Sequence, residues 1–131
     1  MTIGEFFGTL QESVTKEWRS HLKTSKYSKH MALDEYYSDM PEKIDELIEA
    51  WQSSNDKVKD YKNILDGEDM DALEYLTKIK KLTKEARKEF FDGETDLESI
   101  CDDILSLMST TIYKLKHLTE NNGRVLKPLS H

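Results

Sequence analysis

The stretch HLKTSKYSKHMALDEYYSDMPEKIDELIEAWQ, residues 21–52, decides how the chain is read. From about Ser28 its apolar residues Leu33, Tyr37, Met40, Ile44, Leu47, Ile48 and Trp51 return every three or four positions, the spacing of one buried stripe on a helix ending near Gln52. Pro41 falls inside that stripe. It lacks an amide hydrogen and crowds the preceding turn, so the helix is expected to bend near Tyr37, with a break capped by Ser38 or Asp39 as the alternative.

Upstream, Ile3, Phe6, Phe7, Leu10, Val14, Trp18 and Leu22 mark a helix from Ile3 to about Lys23. Only the turn-forming Thr24, Ser25 and Ser28 separate it from the next helix, and so short a link makes the two antiparallel neighbours. Downstream, residues 53–68 open and close with turn chemistry, while Val58, Tyr61, Ile64 and Leu65 could form a short amphipathic helix within a crossover. A third long helix follows from about Asp69 to Phe91 through Met70, Leu73, Leu76, Ile79, Leu82, Ala86 and Phe90, and Asp92-Gly93 stops it. Thr95 and Glu98 have capping-box spacing, so a fourth helix should start near Asp96 and run through Leu97, Ile100, Cys101, Ile104, Leu105, Met108, Ile112, Leu115 and Leu118. Asn121-Asn122-Gly123 is a left-handed stop, and Arg124–His131 reads as a frayed tail. The expected fold is all-α: one antiparallel four-helix bundle over 1–123, with a crossover between its second and third helices.

Composition narrows function. The 131 residues suit one domain, and 34% charged residues with 5 Gly and 2 Pro favour solvated helices over turn-rich β folds. Twenty-six acidic residues against 19 basic ones give a net charge of −7, which disfavours sequence-independent nucleic-acid binding. No stretch approaches the ~20 apolar residues of a membrane span, and Glu5 interrupts the place of a signal peptide's apolar segment. The single cysteine, Cys101, excludes an internal disulfide and suits a reducing cytoplasm. No phosphate loop, nucleophile elbow, HExxH or EF-hand spacing occurs.

What remains is a set of possible metal ligands: His21, His30, Asp34, Asp45 and Glu49. At about 100° per residue, Asp34, Asp45 and Glu49 lie roughly 40°, 60° and 100° around the helix from His30, so they share a face beside the apolar stripe. Imidazole with carboxylates suits a borderline divalent metal such as Fe(II), Zn(II) or Mn(II). By residue type alone, a solvated charged face is the favoured reading of the three acids over a metal site, because exposed acids dominate the helices of soluble proteins. Asp34 and Asp45 are also eleven residues apart, about 16 Å along the axis, too far to hold one ion within one chain. Trp18 and Trp51 read as packing residues, Cys101 as a buried inert thiol, and His117 and His131 have no ligand-spaced companions.

The spacing His30, Asp34, Asp45, Glu49, with His21 upstream, resembles the ferroxidase helix of the Dps family of ferritin-like mini-ferritins. HLKTSKYSKHMALDEYY also looks like the HWxTxSYxxHxALxxxY segment of small ferritin-like proteins encoded by bacteriophages. The resemblance implies a ferritin-like bundle, iron as the metal, possible ferroxidase-type activity, and a site at a two-fold interface. There His21, His30 and Asp34 of one subunit would meet Asp45 and Glu49 of its mate, so the partner is self, as a homodimer or larger assembly, in the cytoplasm of a host if the chain is viral. The chain departs from the family in the nine-residue spacing of its histidines, in Leu22 where tryptophan is usual, in Pro41, and in lacking a basic N-terminal arm. Nucleic acid is therefore not expected as a partner. The competing reading is a small acidic helical interaction protein, a viral accessory factor docking on a host protein, on the same scaffold without metal chemistry.

Overall fold

The computed structural model describes residues 1–118, and these form four long helices: α1 (Ile3–Lys23), α2 (Tyr27–Gln52), α3 (Ala72–Phe91) and α4 (Thr95–Tyr113). A single π-helical turn, Lys114–Leu118, continues α4, and no strand occurs among the described residues. The stop at Asn121-Asn122-Gly123 and the expected tail lie outside the described residues.

Local chemistry fixes the helix ends. The Thr2 hydroxyl accepts the Glu5 amide at 3.1 Å while the Glu5 carboxylate accepts the Thr2 amide at 2.7 Å, a reciprocal cap on α1. Asp71 caps α3 by accepting the Glu74 amide at 2.9 Å. The expected box at Thr95 does not form: Thr95 is already helical, and the cap residue is Glu94, which makes no side-chain cap bond. Glu98 is engaged elsewhere, accepting the Gly93 amide at 3.2 Å and lying 3.6 Å from the Arg87 guanidinium. Gly93, at φ 84°, takes the left-handed turn between α3 and α4. Helix α2 passes through Pro41 without a break, and the proline lies on the exposed face, where water can serve the carbonyl it leaves without an amide.

Contacts define the order around the bundle as α1, α2, α4, α3, with α3 returning to α1. Phe6 near the start of α1 meets Phe91 at the end of α3, with ring centroids 6.1 Å apart, so those helices are antiparallel. Trp51 at the end of α2 meets the same Phe91 at 5.8 Å, so α2 and α3 are parallel and need a crossover running the bundle's length. Lys114, just past α4, donates to Glu35 in the first half of α2 at 2.9 Å, making α4 antiparallel to α2. The core is built from Phe6, Phe7, Leu10, Leu33, Tyr36, Met40, Leu47, Tyr75, Leu76, Ile79 and Ile104.

The crossover differs from expectation: residues 53–71 contain no helix but lie as an irregular strap along α1. Its backbone sits so close that a Cβ at Gly4 would overlap the Asp60 carbonyl, and one at Gly8 the backbone of Lys62. The strap is tied there by the Lys62 amide donating to Gly4 O at 3.2 Å and the Ile64 amide donating to the Thr9 hydroxyl at 3.0 Å. A helical Val58–Leu65 could not offer these amides to α1, because it would spend them on its own carbonyls.

Gly8→Ala is therefore expected to destabilise the protein by about 1–3 kcal/mol, because backbone overlap outweighs the roughly 1 kcal/mol by which alanine favours a helix interior. Urea unfolding followed by circular dichroism measures this. A midpoint equal to or above wild type would refute the seating of the strap.

Candidate metal centre

The first turns of α2 fold back against the last turns of α1 through the link at 24–26, and this brings His21, His30 and Asp34 together. The imidazoles of His21 and His30 lie face to face, centroids 3.9 Å apart at an interplanar angle of 31°. His21 Nδ1 is 3.3 Å from the Trp18 carbonyl and His30 Nδ1 is 3.0 Å from the His21 carbonyl. A carbonyl oxygen only accepts, so each Nδ1 is the donor, and a ring that carries one proton has its lone pair on Nε2. His21 Nε2 then lies 3.5 Å from Asp34 Oδ1. Two lone-pair bearers at that distance attract only if a cation, a proton or a metal ion, sits with them.

Tyr37, one turn beyond Asp34, has its hydroxyl under the influence of the Asp34 carboxylate and stands 4.9 Å from the His21 ring. Desolvation, and then the neighbouring Asp34 carboxylate, raise the phenol above its ordinary value, so it remains protonated at neutral pH. Its other face stacks on Trp18, with centroids 5.7 Å apart and planes 3° from parallel. Trp18 is not the packing residue expected: it is 50% exposed, and Leu22 one turn on is 66% exposed. Trp51 does pack, against Phe90 and Phe91.

Asp45 and Glu49 are placed apart from this group, one turn from each other on the exposed face of α2. The neighbouring Asp45 carboxyl, through hydrogen bonding and then like charge, raises Glu49 from its ordinary value. Among the described residues no group of three or more His, Cys, Asp and Glu within the single chain is placed to hold a metal ion. The five residues thus form two groups, one carrying two imidazoles and a carboxylate and the other a carboxylate pair.

Three further residues stand out that the spacing did not bring forward. Glu17 is fully buried on α1, and neither carboxylate oxygen has a hydrogen-bond partner. Burial pushes it up to about 8, against the opposing pull of Lys16. The Tyr75 hydroxyl on α3 is also buried and unpartnered. By contrast the Tyr36 hydroxyl is satisfied by Ser13 at 2.8 Å; Ser13 gives its own hydrogen to the Leu10 carbonyl, so Tyr36 is the donor. Cys101 is buried as expected, its thiol pushed up to about 12 and hence unreactive at neutral pH. His117 lies exposed in the π turn beside Tyr113, with centroids 5.0 Å apart, and His131 lies outside the described residues.

Asp45→Asn should remove the neighbouring charge and return Glu49 toward its ordinary titration range. Carboxyl carbon-13 shifts across an acid titration read this directly, and an unmoved Glu49 would show the pair to be uncoupled.

A family model described as "Family of unknown function (DUF5856)" matches residues 21–115, a span that begins at His21 and contains both carboxylate-bearing groups. No curated protein and no solved structure matches the chain.

Proposed function

The chain belongs to this family of unknown function, DUF5856, and from that premise we propose that it is a ferritin-like metal-binding protein whose site is completed by a second copy of itself. The observation that carries the reading is the state of the two imidazoles: both Nδ1 groups are committed to backbone carbonyls beside a carboxylate. Backbone carbonyls that fix the tautomer and turn Nε2 toward the ligand are the usual outer shell of metal-binding histidines. The 3.5 Å between His21 Nε2 and Asp34 Oδ1 also fits two donors at ~2.1 Å around one tetrahedral ion, which stand ~3.4 Å apart.

His21, His30 and Asp34 would hold the nitrogen-rich side of the site, and Asp45 and Glu49 of a second chain the oxygen-rich side. Such a mixed set suits Fe(II), with Zn(II) or Mn(II) as weaker fits, and bound Fe(II) would be the substrate of ferroxidase-type chemistry. Within one chain Asp34 and Asp45 stay about 16 Å apart on one rigid helix, so no side-chain motion joins them. The exposed Trp18 and Leu22 beside the histidines are the apolar rim that a self-interface would cover. Tyr37 beside Asp34 keeps its proton at neutral pH and so could donate to the Asp34 carboxylate. Parallel α2 and α3 joined by one long crossover are also what a ferritin-like bundle requires, which supports the same reading.

Anaerobic Fe(II) titration of chelator-treated protein should give stoichiometric binding, lost in His30→Ala with Asp34→Ala and equally in Asp45→Ala with Glu49→Ala. Mixing the two variants under verified subunit exchange should restore about half of wild-type binding per mixed dimer, because one of its two sites receives both intact halves. No binding by wild type would leave a helical interaction protein as the better reading. Binding without recovery on mixing would reject the shared site alone.

A further inference from the structure

Along α1 the strap is tied at its far end by a side chain rather than by backbone. The Lys16 ammonium, only 9% exposed, donates to the Met70 carbonyl at 2.8 Å and to the Ser20 hydroxyl at 3.0 Å, and lies 5.6 Å from the centre of the Tyr75 ring. Met70 closes a turn, its amide donating to the Gly67 carbonyl at 3.0 Å, immediately before the Asp71 cap of α3. This ammonium therefore joins α1 to the point where the strap becomes helix.

The next residue is Glu17, whose fully buried carboxyl makes no well-formed hydrogen bond, the Ser20 hydroxyl giving only a lesser pull toward its charged form. An unpaired carboxylate in such a place is costly, whereas the neutral acid is tolerated. The charged and titratable groups facing it are Lys16 on its own helix, Lys29 and Tyr36 from α2, Asp71 at the cap of α3, and Tyr75 from α3. Lys16 is the strongest of the cations acting on it and is already inside the bundle. Loss of the Glu17 proton would thus create a buried charge whose best available counter-charge is the ammonium now spent on Met70.

We propose that Lys16 and Glu17 form a proton-operated latch on the α2–α3 crossover: with Glu17 neutral the ammonium holds the Met70 carbonyl, and loss of the proton draws it to the carboxylate and frees the turn at 67–70. The latch is independent of the metal site, since none of its groups belongs to the His21, His30 and Asp34 group. The direction with pH follows from the raised value of Glu17. The folded chain holds this proton more tightly than the unfolded one, so the group's contribution to stability falls as pH rises from about 4.5 to about 8, and the opening belongs to the alkaline side.

Hydrogen exchange of the full chain, read by mass spectrometry at about pH 6.5 and about pH 9.5 and corrected for intrinsic rates, tests the latch. In wild type, amides at 67–70 should lose protection at least about tenfold between the two conditions. In Glu17→Gln they should stay protected at both, and in Lys16→Met they should exchange fast at both. Equal protection at the two conditions in wild type, or the same loss in Glu17→Gln, would overturn the proposal. A measurement on wild type alone guards against a variant that fails to fold: the carbon-13 shift of the Glu17 carboxyl should titrate well above the ordinary carboxylate range, and titration within that range would also overturn it.

Discussion

The close approach of the crossover backbone to α1 is the constraint on which the topology depends. Two parallel helices, α2 and α3, require a connection that travels the length of the bundle, and such a connection must find partners for its own amides. Gly4 and Gly8, one turn apart, remove the side chains that would hold it off, and the Gly4 carbonyl and Thr9 hydroxyl accept the amides it brings. With the strap seated, the far ends of α2 and α3 meet at Trp51, Phe90 and Phe91, and Phe6 of α1 closes the same cluster. Without the seat, 19 residues of chain between Gln52 and Ala72 would have to be ordered with few contacts in return.

Four helices and most of their ends were legible in the sequence because periodicity and caps are local properties. The phase of α1 was not. Leu10, Val14, Trp18 and Leu22 recur every four residues, and at about 100° per residue each step turns roughly 40° beyond a full turn, so the row has wound off the core by its second step, at Trp18. The face that is buried runs through Phe6, Leu10, Ser13, Glu17 and Ser20 with His21 beside it, and after Leu10 it is polar. A reading that follows apolar residues cannot find such a face. The strap escaped for a related reason: Val58, Ile64 and Leu65 have helical spacing, but tertiary contacts with α1 supply hydrogen bonds that an isolated segment lacks. At Thr95 the box pattern was present, and it lost because Glu98 serves Gly93 and Arg87 instead.

The candidate site was legible as a list of residues and only partly as an arrangement. The pairing of His21 with His30 and Asp34 depends on a three-residue link that folds α2 back at once, a geometry the Thr-Ser-Lys sequence permits. The commitment of both Nδ1 atoms to carbonyls, and the role of Tyr37, needed the folded backbone. Asp45 and Glu49 stand where the helix rise puts them, and no fold of one chain would bring them to His30 while α2 remains a helix.

The polar half of α1 bears on where function should be sought. Ser13, Lys16, Glu17, Ser20 and His21 occupy positions that aliphatic residues could fill, and replacing buried charges with well-packed apolar groups is commonly neutral or stabilising. The other buried polar side chains among the described residues are threonines, Thr9, Thr83 and Thr111, so a run of two turns that also buries a lysine, a glutamate and a histidine is a local conflict with packing, and such conflicts collect at working parts of proteins. Here the run connects two features on successive turns of the helix. The earlier turn carries Lys16 and Glu17, with Lys16 against the end of the strap, and the later one carries His21 against His30 and Asp34. Both use the rigidity of one helix, and both place a titratable side chain where apolar packing would otherwise be found.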